Sequence, residues 1–401
     1  MSMLLGDRVV EFLSANKIVF GLGAVSTLAE EVKALGGTKV QVISDRILVE
    51  QDVIRPVLAS LEQASIPYVV FDEVLPDAPV SMILKALNQY ESEGCDLVIG
   101  FGGGSPMDTA KAVSITATNG TNLEELMGFH AVKKRGAPKI TIPTTNAAGA
   151  DVGFAIVFVT DEETHEHGLI ACRQAMPDVV INDPMLTVSM PRSVTADTGI
   201  DVLVTGIEAL ASKQATPFSD LYAEKVISIC AAYLPRVCAK GSDIEGRYHM
   251  ALAATMSGLA YMSSMLGAVH GLSYPIAGAC NLTHGRSMAP LLPNVMRFNA
   301  PGNPEAYART AELMGYDTEG LTILEAAELA AEAVEALLDT IDVSYRLQDY
   351  GVQEGDIDKL AEEGMASMEE LGDAFLTPNP RDMTLDDIKR ILQEAFKSIY
   401  I

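Results

Sequence analysis

Basic residues are scarce in this chain. Its 401 residues hold 28 Lys and Arg against 54 Asp and Glu, a formal net charge of −26. Such a surface repels phosphate backbones and anionic headgroups, which excludes nucleic acid and membrane surfaces as expected partners. Cysteine is sparse too. Cys95, Cys172, Cys230, Cys238 and Cys280 are odd in number, irregularly spaced and form no C-x-x-C. That excludes a disulfide framework and a thiolate zinc knuckle, and points to reduced thiols in a cytoplasmic setting. The opening MSMLLGDRVVEFLSANK meets a charge at Asp7 and lacks a basic start before an apolar run, so it does not read as a signal peptide. From Arg247 to Arg286 no charged residue intervenes, yet the stretch is rich in Ala, Gly, Ser and Met and includes His249, His270 and His284. A lipid-facing span would favour Leu, Ile, Val and Phe between basic flanks. A buried helix carrying functional polar groups is the better reading.

What is present points to two domains, because a chain of this length outgrows one ordinary core. The first half alternates short β-rich runs, KVQVISD (39–45), PYVVFDEV (67–74), DLVIGFGGG (96–104) and KITIPTT (139–145), with helical stretches near 24–35, 50–64, 79–93 and 106–117. That alternation predicts an α/β domain with a parallel sheet covered on both faces. GFAIVFVT (153–160), the polar DEETHEHG and LIACR predict a hairpin added to that sheet, with His165 and His167 as solvated turn residues. After NDP (182–184) strand signals stop, and Ala-, Leu-, Met- and Glu-rich helices run to the end. A Rossmann-like dinucleotide-binding domain over 1–185 and an all-α metal and substrate domain over 186–401 are therefore expected.

Three constellations carry chemistry. GGGSPMDTAK, Gly102 to Lys111, follows a strand and opens a helix, with Ser105 near the N-cap and Pro106 at the first helical position. Bare backbone at Gly102, Gly103 and Gly104 admits a ligand, and the free N–H groups with the helix dipole favour an anion such as a pyrophosphate. A tight turn with no ligand would use the same glycines, and G-x-G-x-x-G is absent. Asp45, closing its strand, suits the adenosine ribose hydroxyls and repels a 2′-phosphate, favouring NAD over NADP; alone, it is equally a turn residue. The third set is Asp201, His270 and His284. Asp201 with Thr205, and His270 with Tyr274, are four apart and share helix faces. A carboxylate and two imidazoles suit zinc or iron, although two satisfied buried histidines would look the same.

Together these residues resemble the iron-containing (group III) alcohol dehydrogenases over nearly the whole chain. FGLGA (20–24) is similar to that family's FGxGA opening, and Phe71 to Pro76 to its F-x-x-V-x-P segment. GGGSPMDTAK matches its GGGSPxDxAK throughout. Pro143-Thr144-Thr145 begins its PTT loop, and Met176-Pro177-Asp178 with Asp183-Pro184 follows its LPD…DP. Thr198-Gly199-Ile200-Asp201 opens its TGxDALTHAxE, GAVHG (267–271) and THG (283–285) match its two later histidine segments, and Asn379-Pro380-Arg381 its NPR. The resemblance implies a dehydroquinate synthase-like fold with the active site in a cleft between an α/β and a helical domain, and a homodimer or larger homo-oligomer. It also implies NAD held by Gly102, Gly103, Gly104, Ser105 and Asp108, with Thr144 and Thr145 near the nicotinamide.

The departures from that pattern are local. The family binds its metal with Asp, His, His and His, and here those positions are Asp201, Thr205, His270 and His284. A family histidine implicated in proton transfer is replaced by Tyr274, the PTT loop reads Asn146-Ala147-Ala148-Gly149-Ala150-Asp151 instead of A-G-T-G-S-E, and a lysine commonly found after the hairpin falls at His167. The glycerol dehydrogenases of the same fold hold zinc with Asp-His-His, so three ligands suffice there. HGLSYP (270–275) further resembles hydroxyacid–oxoacid transhydrogenases and 4-hydroxybutyrate dehydrogenases. The expectation is hydride transfer between NAD and a small alcohol, aldehyde or semialdehyde, metal-assisted on three ligands, with Tyr274 as proton relay. The rival is an NAD-binding homologue that has lost its metal.

Overall fold

In the computed structural model, residues 9–146, 148–161 and 166–397 are described. The MSMLLGDR start, Ala147 and His165 lie outside them. Six strands run parallel in one sheet: β1 (Lys17–Phe20), β2 (Val40–Ile43), β3 (Tyr68–Phe71), β4 (Leu97–Gly102), β6 (Lys139–Pro143) and β9 (Val179–Asn182), in the order β1-β9-β6-β4-β2-β3. Alternate side chains serve opposite faces. Val40, Val42, Leu97, Ile99, Ile140 and Ile142 pack with Leu28, Val32, Val57 and Leu61, while Val98 packs with Ile83, Leu87, Ala110 and Val113. Burial on both faces is why β2, β4, β6 and β9 read as unbroken apolar runs. Chain order reverses between β2 and β4, so their carboxyl ends, where Asp45 and Gly102 sit, flank the crevice at which such sheets bind ligands.

Two features differ from the sequence expectation. The edge strand β1 and its neighbour β9, both absent from the expected strands, are four residues each, no shorter than β2 and β3. The hairpin, β7 (Ala155–Asp161) and β8 (Glu166–Ala171), does not join the main sheet. It pairs with the two-residue β5 (Gly128–Phe129) as a separate three-stranded sheet. His167 is a strand residue of β8, paired across from Val159, rather than part of a turn.

By contacts the chain forms two compact units. Ser14–Val202 with Tyr233–Gly258 make one, and Leu203–Ala232 with Leu259 onward and the stretch up to Leu13 make the other. The first contains the sheets, and the second is helical. Segments 186–202 and 233–258 thus pack with the sheet unit, and the helix Arg192–Ala211 runs continuously through the boundary. No single described helix is long and apolar enough to cross a membrane. The charge-free stretch forms two helices, Ile244–Ser264 and Ala268–Cys280, bent by 114° from one another.

Candidate active site

The glycine turn is built by close packing. Gly100, in β4, lets the following helix (Gly104–Asn119) press on the sheet, since a Cβ there would stand 2.8 Å from the Met107 Cα. Gly102 has φ +146°, a conformation that L side chains rarely adopt, and a Cβ would lie 2.7 Å from Pro106 Cγ. Around Gly104 the space is open: a Cβ would meet only Ala150 Cβ, at 3.9 Å. The helix begins at an N-cap glycine, Gly103, with no side chain capping it, so its first N–H groups face that open space. The geometry fits the pyrophosphate of a dinucleotide.

Asp108 and Lys111 turn inward from this helix. Lys111 Nζ bonds Asp108 Oδ1 at 2.8 Å and the Ala155 carbonyl at 2.9 Å, while Asp108 Oδ2 accepts the Val157 N–H at 3.0 Å. Burial pushes the Asp108 carboxyl up, and the Lys111 charge pulls it back. Both carboxylate oxygens are thereby engaged in tying the helix to β7. Ser105 Oγ accepts the Asp77 N–H, and Asp45 caps the helix after β2 by accepting the Leu48 N–H at 3.0 Å. Thr144 is buried and continues the β6–β4 ladder through its N–H to Gly102 O; Thr145 Oγ1 lies beside Gly103.

On the helix Arg192–Ala211, Asp201, Thr205 and Glu208 fall on one face, spaced by four and then three residues. One ligand atom each from Asp201, His270 and His284 lies within 4.8 Å of the others, a spacing one metal ion can span. Glu208, which falls on the last residue of the TGxDALTHAxE pattern but was not expected as a site residue, organises the rest. Its carboxylate accepts the Gly267 N–H (3.0 Å) and the Val269 N–H (2.7 Å), and lies 2.6 Å from His270 Nδ1. Asn379, of the NPR segment, accepts the Ala268 N–H at 3.2 Å. These two side chains cap the helix Ala268–Cys280, and Gly267 permits it: a Cβ there would stand 2.9 Å from Glu208 Oε1. With Nδ1 committed to the carboxylate, His270 is left to coordinate through Nε2, the carboxylate–histidine pairing usual behind a metal ligand. The three-ligand donor set therefore fits a divalent ion.

Tyr274, one turn beyond His270, stacks on His284 with centroids 5.2 Å apart and planes at 30°. Ser273 Oγ donates to His270 O and lies 3.4 Å from His284 Nδ1. Thr205 is fully buried, and its hydroxyl has no hydrogen-bond partner among the described residues. Where the family motif has an imidazole, this chain has an unpaired oxygen.

The loop between β6 and β7 completes the surroundings. Ala148 N–H reaches Asp201 Oδ2 at 3.4 Å. Asp151 Oδ2 accepts the Thr255 hydroxyl at 2.6 Å, and Thr255 in turn accepts from Asn182 Nδ2 at 2.8 Å. Thr145 Oγ1 and both polar atoms of the Asn146 amide are buried without partners among the described residues, and Asp151 Oδ1 has none beyond the backbone N–H groups of Asp151 and Val152 beside it. Neither Asn146 nor Asp151 was expected as a site residue. Their only sequence signal is the departure of the loop from the family pattern.

With this geometry established, comparison with known proteins gives the family. Residues 15–184 match the model for "Iron-containing alcohol dehydrogenase", and residues 195–396 the model for "Fe-containing alcohol dehydrogenase family, C-terminal". The chain is 34% identical over 391 residues to a 1,3-propanediol dehydrogenase of Citrobacter freundii, covering 97% of this chain and 99% of that one. It is 32% identical over 377 residues to an NAD-dependent methanol dehydrogenase of Bacillus methanolicus, covering 94% and 97%. A crystal structure of a 1,3-propanediol oxidoreductase superposes with a TM-score of 0.93 at 33% identity, covering 97% of this chain and all of the other. Whole-length likeness on this scale, joined to the glycine turn and the Asp-His-His cluster, shows that the chain belongs to the iron-containing alcohol dehydrogenase family, oxidoreductases acting on CH–OH groups.

Proposed function

We propose that this chain moves a hydride reversibly between C4 of NAD(H) and the carbinol carbon of a small alcohol, yielding an aldehyde or semialdehyde. In the forward direction the alcohol loses a hydride to NAD⁺ and a proton to the site, giving carbonyl, NADH and H⁺. The observation that carries this reading is the Asp201–His270–His284 cluster with Glu208 fixed behind His270. A divalent metal held there, iron or zinc, supplies Lewis acidity that lowers the alcohol pKa and polarises the carbonyl in reverse.

The chain's own residues supply the rest. In this reading Gly102, Gly103, Gly104 and Ser105 take the pyrophosphate, Asp45 the ribose, and Thr144 and Thr145 lie toward the nicotinamide. Asp108, with both oxygens engaged inside the protein, acts by pinning the glycine-turn helix rather than by touching cofactor. Tyr274, stacked on His284, passes the alcohol proton outward. Residues 1–185 hold the dinucleotide and 186–401 contribute the metal and substrate groups, in a cytoplasmic homo-oligomer.

A second reading is favoured by one observation. The unpaired Thr205 hydroxyl marks a ligand position that a stronger site would fill, so the chain would bind NAD with little metal. Chelator-stripped protein titrated with Zn²⁺ or Fe²⁺, then assayed with NAD(H) on alcohols and aldehydes, separates the two. Metal-dependent turnover that His270→Ala abolishes is expected. NADH binding without turnover under either metal would overturn the dehydrogenase reading in favour of the second. Equal affinity for NAD and NADP would count against Asp45.

A further inference from the structure

The β6–β7 loop is where the molecule leaves most polar chemistry unused. Asn146 is completely buried, yet neither its amide oxygen nor its amide nitrogen has a hydrogen-bond partner among the described residues. A buried polar group without a partner is costly, and here a donor and an acceptor on one side chain are both idle. The position of Asn146 narrows what satisfies them. One residue before it, Thr145 Oγ1 lies beside Gly103 of the glycine turn. Two residues after it, the Ala148 N–H touches Asp201. If the pyrophosphate sits on the glycine turn and the reacting carbon sits near Asp201, the nicotinamide ring spans the interval between those two contacts, and Asn146 stands between them in the chain, its amide closed off while no cofactor is present.

We propose that Asn146 is a positioning residue for the reaction, recognising the primary carboxamide of the nicotinamide through a two-point amide–amide pair. The inference rests on the NAD reading above. A primary carboxamide presents an oxygen acceptor and an N–H donor at the same separation as the side-chain amide, so antiparallel pairing satisfies both groups at once. A carboxylate offers acceptors only, and one hydroxyl cannot meet both atoms in good geometry. Fixing the carboxamide fixes which face of the ring offers C4 to the substrate, and so keeps the reacting atoms aligned. The other idle carboxylate oxygen, on Asp151, is a poorer candidate. Its side chain is already held by Thr255, and it lies beyond the Asp201 contact in the loop.

The test compares binding of NAD⁺, 3-acetylpyridine adenine dinucleotide and ADP-ribose to the parent chain, Asn146→Ala and Asn146→Leu, by calorimetry on metal-free protein. The acetyl group keeps the carbonyl and lacks the N–H₂, and ADP-ribose lacks the ring. The parent should prefer NAD⁺ over the acetylpyridine analogue by about tenfold, the order of one hydrogen bond lost with its partner left unpaired. Asn146→Ala should lose that preference through weaker NAD⁺ binding, with ADP-ribose unchanged. Equal weakening of NAD⁺ and the analogue, or no change in either, would overturn the proposal, leaving Asn146 to shape the loop or hold a buried water. If Asn146→Ala loses ADP-ribose binding through a disturbed fold, Asn146→Leu decides: it keeps the size and removes both the donor and the acceptor, so it must still lose the preference. A parent chain that binds neither NAD⁺ nor ADP-ribose would instead sink the NAD reading itself.

Discussion

Two neighbourhoods of this molecule treat buried polar groups in opposite ways. Along the glycine-turn helix and at the start of the His270 helix, the charged groups are paired, with the Thr109 hydroxyl the exception among the polar ones: Asp108 with Lys111 and Val157, and Glu208 with Gly267, Val269 and His270. At Thr205 and in the β6–β7 loop, idle hydroxyl, amide and carboxylate atoms collect. The first neighbourhood includes GGGSPMDTAK, which keeps the family pattern throughout, and the second departs from it. Paired networks hold a backbone in place whether or not a ligand is present. Idle groups make sense where something else completes them, so the departures mark where this chain has retuned its site around an unchanged frame.

The comparison is broken most directly at Asp108. Asp108→Ala leaves the fully buried Lys111 ammonium with only the Ala155 carbonyl. Stranding a buried charge costs about 3–5 kcal/mol, and urea midpoints should fall accordingly. A loss below about 1 kcal/mol would mean that water reaches Lys111, and that the paired neighbourhood is no tighter than the idle one. Thr205→Val asks the reverse question. The shape is nearly kept and only an unpartnered hydroxyl is removed, so metal-free protein should be unchanged within about 0.5 kcal/mol or slightly more stable. A clear destabilisation of the metal-free chain would show that the hydroxyl has a partner after all.

The parallel sheet, the glycine turn and the Asp201–His270–His284 set were legible in the sequence because each rests on local signals: long buried apolar runs, a motif at fixed spacing, scarce histidines in a charge-free stretch. β1 and β9 were not, because they lie at the two ends of the sheet's sequence and find each other only by pairing, outside the strand–helix alternation between them, and the hairpin's sheet depends on its pairing with two residues of β5. Glu208 and Asn379 escaped for another reason. They cap a helix that begins about 60 residues after one and 110 before the other, a relation no window on the sequence contains. Thr205 was visible as a substitution, but the lack of a partner for its hydroxyl is a property of its surroundings alone.

The finest test of the idle neighbourhood is Asp151. Burial raises its carboxyl above the ordinary range, with the Thr255 hydroxyl, the more distant Lys111 charge and the Asp151 and Val152 backbone N–H groups pulling it back. The folded chain therefore keeps this proton to higher pH than the unfolded chain, whose Asp ionises near about 3.9. Below that pH both states are protonated and burial of the side chain has no charge cost. As pH rises the unfolded state ionises first, so stability falls until the folded carboxyl has ionised as well. Asp151→Asn keeps an acceptor for Thr255, and its new N–H₂ enters a network in which Asn182 Oδ1 is idle. Its melting temperature should match the parent near pH 4 and exceed it by a few degrees at pH 8, with the gap opening in between. A parent more stable than Asp151→Asn at pH 8 would mean an ionised, well-partnered Asp151. The loop would then belong with the paired neighbourhood, and the contrast would narrow to Thr205 and Asn146.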